Sequence, residues 1–330
     1  NRWKWQRSQL WQTCEDLYTQ SYVLPYLVPM LENAGACVML PRERDVQKYE
    51  ILADNDAAGQ DREEEGPEKW QPGGMGFAHV QQVYTTGQNP FRGGTTRRVR
   101  SVTGGAESRA VWTADIPERG EYAVYVSYDS TPQNADDAQY TVHHLGGDSS
   151  FAVNQTMGGG TWIYLGRFLL DAGPQEVVTL TNRSRQAGRI VSADAVKIGG
   201  GYGNIARTVC DSLRRPGMVC HLETSGYPRF CEGARYWLQW AGFSETVYRQ
   251  KEGLDDYKED YMSRAHWVNA LMGGSERLSD EEGLNIPVDM ALAFHSDAGV
   301  RRNDETIGTL GIYFTQENGG RFEGGASRYL

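Results

Sequence analysis

His295 is the residue whose position most suggests chemistry. It ends the run Val288-Asp289-Met290-Ala291-Leu292-Ala293-Phe294-His295 and is followed by Ser296-Asp297-Ala298-Gly299. The run predicts a buried strand over 288–295. The small polar residues predict the loop leaving its carboxyl end. Open α/β sheets bind ligands at that edge, and an imidazole there can offer a ring nitrogen to a metal. The pattern equally fits a histidine that caps a strand by hydrogen bonding. Glu15 is the second candidate. On a helix it lies beside Trp11 and Tyr18, so it is partly buried. A partly buried carboxylate needs a cation or hydrogen bonds. A zinc ion or an arginine such as Arg42 would meet that need, and plain exposure would remove it.

Other residues could touch a ligand. Arg229 and Glu232 open a Trp- and Tyr-rich helical stretch over 229–240 that could border a crevice. An acid near a helix's positive end is the plainer alternative. Trp162 and Tyr164 alternate on an expected strand, so they share one face. They could stack on sugar rings or fill a core. His143-His144 and Cys220-His221 are neighbours that a strand points to opposite faces, which disfavours shared metal binding. The five cysteines are odd in number and include no CxxC, so neither a fully paired disulfide set nor a thiolate zinc site is supported.

The elements that must position these groups fall into three blocks. Residues 5–34 predict a helix, kinked at Pro25 and Pro29. Asn33-Ala34-Gly35 should stop it, and Ala36–Leu40 predicts a short buried strand. Residues 51–76 are rich in Asp, Glu, Gly and Pro and read as a linker. Residues 77–200 read as an antiparallel β-sandwich, with strands over 121–128, 139–144, 161–170, 176–181 and 193–198 between Gly-rich turns. Helices over 229–240 and 256–271 follow, then the strand ending at His295 and another over 307–315. The expected fold class is thus an open α/β domain, formed by 1–50 and 201–330, interrupted by the sandwich. The chain reads as cut at both ends.

Composition excludes some partners. A net charge of −10, with no basic block longer than Arg97-Arg98-Val99-Arg100, repels phosphate backbones and argues against nucleic acid. No apolar run reaches membrane-spanning length, so no transmembrane segment is expected. A hydrophobic content of 39% supports a globular rather than disordered chain.

Two resemblances sharpen the reading. Glu15-Asp16-Leu17, the helix closing on Glu32-Asn33-Ala34-Gly35, and Val38-Met39-Leu40-Pro41-Arg42-Glu43-Arg44-Asp45 resemble part of the zinc-dependent N-acetylmuramoyl-L-alanine amidases. Arg264-Ala265-His266-Trp267-Val268-Asn269 and Phe294-His295-Ser296-Asp297-Ala298 resemble a later helix and strand of that family. Pro41, Phe294 and Asp297 depart from it, standing where the family has Thr, Ile and Asn. The resemblance spans about residues 5–48 and 250–330. It implies that Glu15 and His295 are zinc ligands. A first histidine would lie upstream of Asn1 and a catalytic glutamate beyond Leu330, so no catalytic residue is assigned within the chain. Zinc would polarise an amide carbonyl and lower its bound water's pKa to about 7, cleaving the muramoyl–L-alanine bond of peptidoglycan.

The second resemblance covers the sandwich. Asp137–His144, Phe151–Gln155, Gly158–Gly166 and Asp194–Lys197 are similar to the golvesin/xanthan-lyase carbohydrate-binding-like domain. Two functions follow: a zinc amidase acting on peptidoglycan, or a non-catalytic cell-envelope protein whose sandwich binds polysaccharide. Arg42, Arg229, Glu232, Trp162 and Tyr164 are the candidate substrate contacts. Both resemblances imply a bacterial protein of the cell envelope or one that is secreted.

Overall fold

The computed structural model describes Trp3, Trp5 and residues 14–207, 222–273 and 282–294. Residues 1–293 fall in one compact unit, and of the remainder only Phe294 is described. The first helix, α1 (Glu15–Tyr22), runs through a π turn (Val23–Leu27) into α2 (Val28–Asn33). Pro25 lies in the π turn, a usual way for a helix to absorb a residue without an N–H.

The strands follow in chain order: β1 (Glu50–Asp54), β2 (Asp61–Glu64), β3 (Gln71–Gly76), β4 (Gly94–Arg100), β5 (Arg109–Ile116) and β6 (Gly120–Val126). Then come β7 (Ala138–His144), β8 (Gly147–Val153), β9 (Ile163–Leu170), β10 (Gly173–Thr181), β11 (Ile190–Ala193) and β12 (Ala195–Gly199). They form sheets ordered β1-β12-β6-β9, β2-β5-β10-β7-β8 and β11-β4-β3. Every ladder between them is antiparallel.

Side-chain alternation explains how the sheets pack. Trp112 and Ile116 of β5, Tyr140 and Val142 of β7, and Val178 and Leu180 of β10 share one core with Tyr122, Val124 and Val126 of β6 and Val196 and Ile198 of β12. The small third sheet adds Val99, Val191 and Ala193. The intervening residues of β6 and β12 point the other way, into a second core with Trp162, Phe77 and Phe91. A strand buried on both faces reads as a continuous apolar run, which is the pattern of Tyr122–Val126.

That second core is covered by helices: α3 (Ala234–Trp240), α4 (Glu245–Tyr248) and α5 (Asp256–Met272). Trp237, Leu238, Trp240, Val247, Tyr248, Trp267 and Leu271 pack there. Asp255 caps α5 by accepting the Lys258 N–H at 3.1 Å.

The sandwich part of the expected fold class is present, but the α/β part does not form among the described residues. Residues 36–40 are extended without a ladder partner, and Ala36 and Cys37 are exposed. Residues 288–294 likewise join no sheet, with Met290, Leu292 and Phe294 exposed. Neither run hydrogen-bonds to a neighbouring strand, so apolar composition alone does not make them strands. The expected linker 51–76 instead supplies β1, β2 and β3, one strand to each sheet. Its acidic and glycine residues suit edge strands, whose outer sides face water. His295 and the expected strand over 307–315 lie outside the described residues.

Candidate functional site

The segment 41–45, which follows the expected strand over 36–40, lies against the outer face of the β1-β12-β6-β9 sheet. Glu43 is fully buried and pairs with Lys197 at 2.6 Å. Tyr125 donates its hydroxyl to Glu43 at 2.5 Å, and the Lys197 ammonium sits 4.0 Å from the Tyr125 ring centre. Asp45 accepts the Ala123 N–H at 2.5 Å. Burial raises its carboxyl, against the hydrogen bonds that hold it ionised. Arg44 stacks on Tyr164 at 3.6 Å and donates to the Val38 carbonyl at 2.6 Å. These side chains are engaged in fastening the strap to the sheet.

Trp162 and Tyr164 belong to the same outer core. Trp162 is 5% exposed, with Phe77 and Phe91 rings at 4.7 and 5.1 Å. Tyr164 lies half-buried beneath Arg44. They share one side of the sheet as the alternation requires, and that side is covered rather than open. Neither offers a platform to a polysaccharide.

Arg229 is also an internal tie. It is 1% exposed, pairs with Glu50 at 2.8 Å, donates to Asn204 Oδ1 at 2.9 Å and lies 4.3 Å from the Trp240 ring. Arg42 donates to the Glu232 carbonyl at 3.0 Å and reaches Asp260 at 3.6 Å. Burial raises the Asp260 carboxyl, but Arg42 and Arg264 outweigh it and leave the group below its ordinary range. Both Arg229 and Arg42 brace the turn that carries Glu232.

Glu232 is different. The chain turns at Pro228 into a 3-10 turn (Arg229–Cys231), passes Glu232 in extended conformation, and enters α3 after Gly233. Glu232 is 4% exposed, and neither carboxylate oxygen has a hydrogen-bond partner among the described residues. Burial raises its carboxyl to about 7, opposed by the Arg229 charge. Ser225 lies close enough to favour the ionised form, but its hydroxyl donates to the Tyr227 carbonyl at 3.5 Å and makes no well-formed bond to Glu232. The carboxylate packs over Gly203, where a Cβ would come within 1.9 Å of Oε1, so a larger residue there would push the Glu232 side chain aside.

Glu232 lines a cleft of about 530 Å³. Five aromatic side chains line it as well: Trp3, Trp5, Tyr227, Tyr236 and Tyr257. Trp3 packs on Tyr236 with ring centres 4.5 Å apart, and Trp5 on Tyr227 at 5.1 Å. Tyr227 and Tyr257 are 44% and 45% exposed at the rim of the cleft. Arg207 contributes a cation, already paired with Asp256 at 3.0 Å. Rings of this kind stack on the C–H faces of sugars while carboxylates accept hydroxyl or ammonium protons. Of the expected contacts, the cleft includes only Glu232. The Trp- and Tyr-rich stretch over 229–240, expected to border a crevice, supplies Tyr236, whereas Trp3, Trp5, Tyr227 and Tyr257 come from segments the sequence did not single out.

The described residues do not fit zinc. Glu15 heads α1, half-buried, and no three His, Cys, Asp or Glu among the described residues gather to hold an ion. His143 is engaged with Asp148 and Thr179, and His144 with Ser149. The expected second ligand, His295, lies outside the described residues.

Comparison with known proteins matches residues 79–200 to the Golvesin C-terminal domain. A xanthan lyase of Bacillus sp. (strain GL1) is 35% identical over 88 residues, covering 26% of this chain and 9% of that protein. The chain therefore spans a small part of that relative's length. Among solved structures, a Paenibacillus xanthan lyase matches with 23% identity over 46% of this chain and 13% of its own, at a TM-score of 0.34. The carbohydrate-binding module of Cellvibrio mixtus lichenase 5A, solved with cellotriose, matches with 18% identity over 46% of this chain and 96% of its own, at 0.27. No helix among the described residues is long and apolar enough to cross a membrane.

Proposed function

We propose that this chain is a non-catalytic polysaccharide-binding protein, acting at the bacterial cell envelope or after secretion, and that it holds its glycan in the aromatic cleft. The observation that carries this reading is the cleft itself, lined by Trp3, Trp5, Tyr227, Tyr236 and Tyr257. Stacking on such rings buries apolar sugar surface without requiring a particular charge. The golvesin-like sandwich supports the reading, as does the relative named for its action on xanthan, a polysaccharide. In this scheme the sandwich is a scaffold. Its outer face is covered by α3, α4 and α5, and the cleft lies where α3 and the start of α5 meet Trp3, Trp5 and the 225–233 segment.

The test is calorimetric titration of the chain with peptidoglycan fragments, xanthan and a neutral glucan, with product analysis and metal analysis in parallel. Saturable binding to one glycan without product, weakened about tenfold by Tyr257→Ala, is the expected result; tenfold is about 1.4 kcal/mol, the scale of one lost ring contact. Binding to none of them, or affinity unchanged in both Trp3→Ala and Tyr257→Ala, overturns the reading. Stoichiometric zinc that is lost in Glu15→Ala, together with amide cleavage, would reinstate a metal hydrolase.

A further inference from the structure

We infer that the cleft selects a glycan unit carrying a positively charged amine, with Glu232 as the buried counter-charge and the surrounding rings as a cation-binding wall. This inference rests on the polysaccharide-binding reading and narrows its ligand class.

The cleft's charge balance is the first argument. Its lining carries three carboxylates, Glu232, Asp255 and Asp256, against one cation, Arg207. Arg207 is spent on Asp256, which also receives Arg235 and the Tyr236 hydroxyl. Asp255 is occupied as the cap of α5 and pairs with Lys258 at 3.2 Å. What remains is a carboxyl without a hydrogen-bonding partner among the described residues, beside aromatic faces whose quadrupoles are negative. Such a site repels uronate or pyruvate groups and attracts ammonium.

The second argument is the isolation of Glu232. A buried carboxyl with both oxygens unbonded costs free energy that the rest of the fold must offset. Gly203 leaves just enough space for it and Arg42 fixes its backbone, so the fold holds it there. Arg229, whose charge favours the ionised carboxyl, is tied to Glu50, Asn204 and Gly200 and offers it no hydrogen bond. A ligand amine would supply the missing charge.

The charged groups around Glu232 are Arg229 on its own turn, Glu50 of β1, Arg42 at its carbonyl, Cys231 beside it, and Asp255, Asp256 and Arg207 across the cleft. Burial keeps the Cys231 thiol neutral, raised to about 11. No histidine is among the described residues lining the cleft. Ammonium binding therefore favours the ionised form of Glu232 and should strengthen as pH rises through its titration.

The experiment titrates the chain with two chitin-type oligosaccharides of equal length, one N-acetylated and one N,N,N-trimethylated. The trimethylated probe keeps its charge at every pH. At about pH 8 it should bind about tenfold tighter than the acetylated one, and it should weaken by about tenfold toward pH 5.5, as linkage to one proton requires. Glu232→Gln should abolish most of both differences. Tyr257→Ala, on the exposed rim, should weaken the trimethylated probe more than the acetylated one. Equal affinity for the two probes, or an affinity for the charged probe that is flat with pH in the unmodified chain, overturns the inference. If the acetylated oligomer or xanthan still binds in that case, the polysaccharide-binding reading survives; if nothing binds, both fall.

Discussion

The two faces of the β1-β12-β6-β9 sheet are built from the same strands and solve different problems. The inner face meets the five-stranded sheet through Tyr122, Val124, Val126, Val196 and Ile198, and its partners are mostly apolar strand residues. The outer face, formed by the alternate residues Ala123, Tyr125, Ala195 and Lys197, receives a strap, three helices and a buried ion pair. The inner core can form from the sandwich alone. The outer core also needs a charged strap and the helices to meet the sheet, as the Glu43–Lys197 and Phe77–Trp240 contacts illustrate. Apolar burial is forgiving of small shifts, whereas charged pairs bring geometry that must be met. The outer face is thus the more specific of the two and the more easily broken.

The largest effect should come from breaking its buried pair. Lys197→Met leaves Glu43 buried and without its cation, and should cost about 3–5 kcal/mol in urea denaturation. The double variant Glu43→Gln, Lys197→Met should recover much of that loss. A single variant as stable as the parent would mean that the pair does not hold the outer face together.

Trp162→Ala should follow, at about 3 kcal/mol, because it opens a cavity against Phe77 and Phe91. The expected signature is a lower unfolding midpoint, with glycan affinity of the folded fraction unchanged. Lost affinity at full stability would instead make Trp162 a binding surface and erase the distinction between core and cleft.

Glu232→Gln tests the border between the outer core and solvent. The carboxyl is raised from its ordinary 4.5 to about 7. Its protonated form therefore favours the fold fully below about 4.5, and that contribution is lost as pH rises through 7. A tenfold change in proton affinity between the folded and unfolded chain corresponds to about 1.4 kcal/mol. With partial relaxation of the site, roughly 2 kcal/mol should disappear between about pH 5 and 8. In Glu232→Gln the stability difference between those pH values should shrink by that amount. Asp54, also raised to about 7 by burial, will leave a residual slope of the same sign in both proteins.

The smallest effect is local. Asp255→Ala removes the α5 cap and should cost about 1 kcal/mol. Amide exchange should speed up in the first turn of α5 and remain unchanged in β6. Matching acceleration in both would indicate that helices and sandwich open together.

Much of the strand inventory was legible because its signals are local. The expected strand over 139–144 corresponds to β7, 161–170 to β9 and 193–198 to β12, each within a few residues. The helix expected over 256–271 is α5, which Asp255 caps at its start and Gly273 ends. The strands β2 and β3 were hidden because one is wholly charged and the other Gly-rich, as loops are, while β1 is too short an apolar run to mark a strand on its own. The runs 36–40 and 288–294, expected as strands, pair with none for the converse reason. Apolar residues permit a strand, but a partner must complete its hydrogen bonds.

By itself, the sequence determined the period-two alternation of the sandwich, its turns, the α5 helix and a net charge that disfavours polyanions. It placed Trp162 and Tyr164 on one side of a strand, and left open what lies on that side. Tertiary structure decided that helices cover it, that Arg229 is a tie rather than a ligand contact, and that Glu232 lies without a hydrogen-bonded partner among the described residues, beside an aromatic cleft. The physical reason is range. Propensity and alternation act over a few residues, whereas the burial and pairing of a charge depend on which distant segments the fold brings against it.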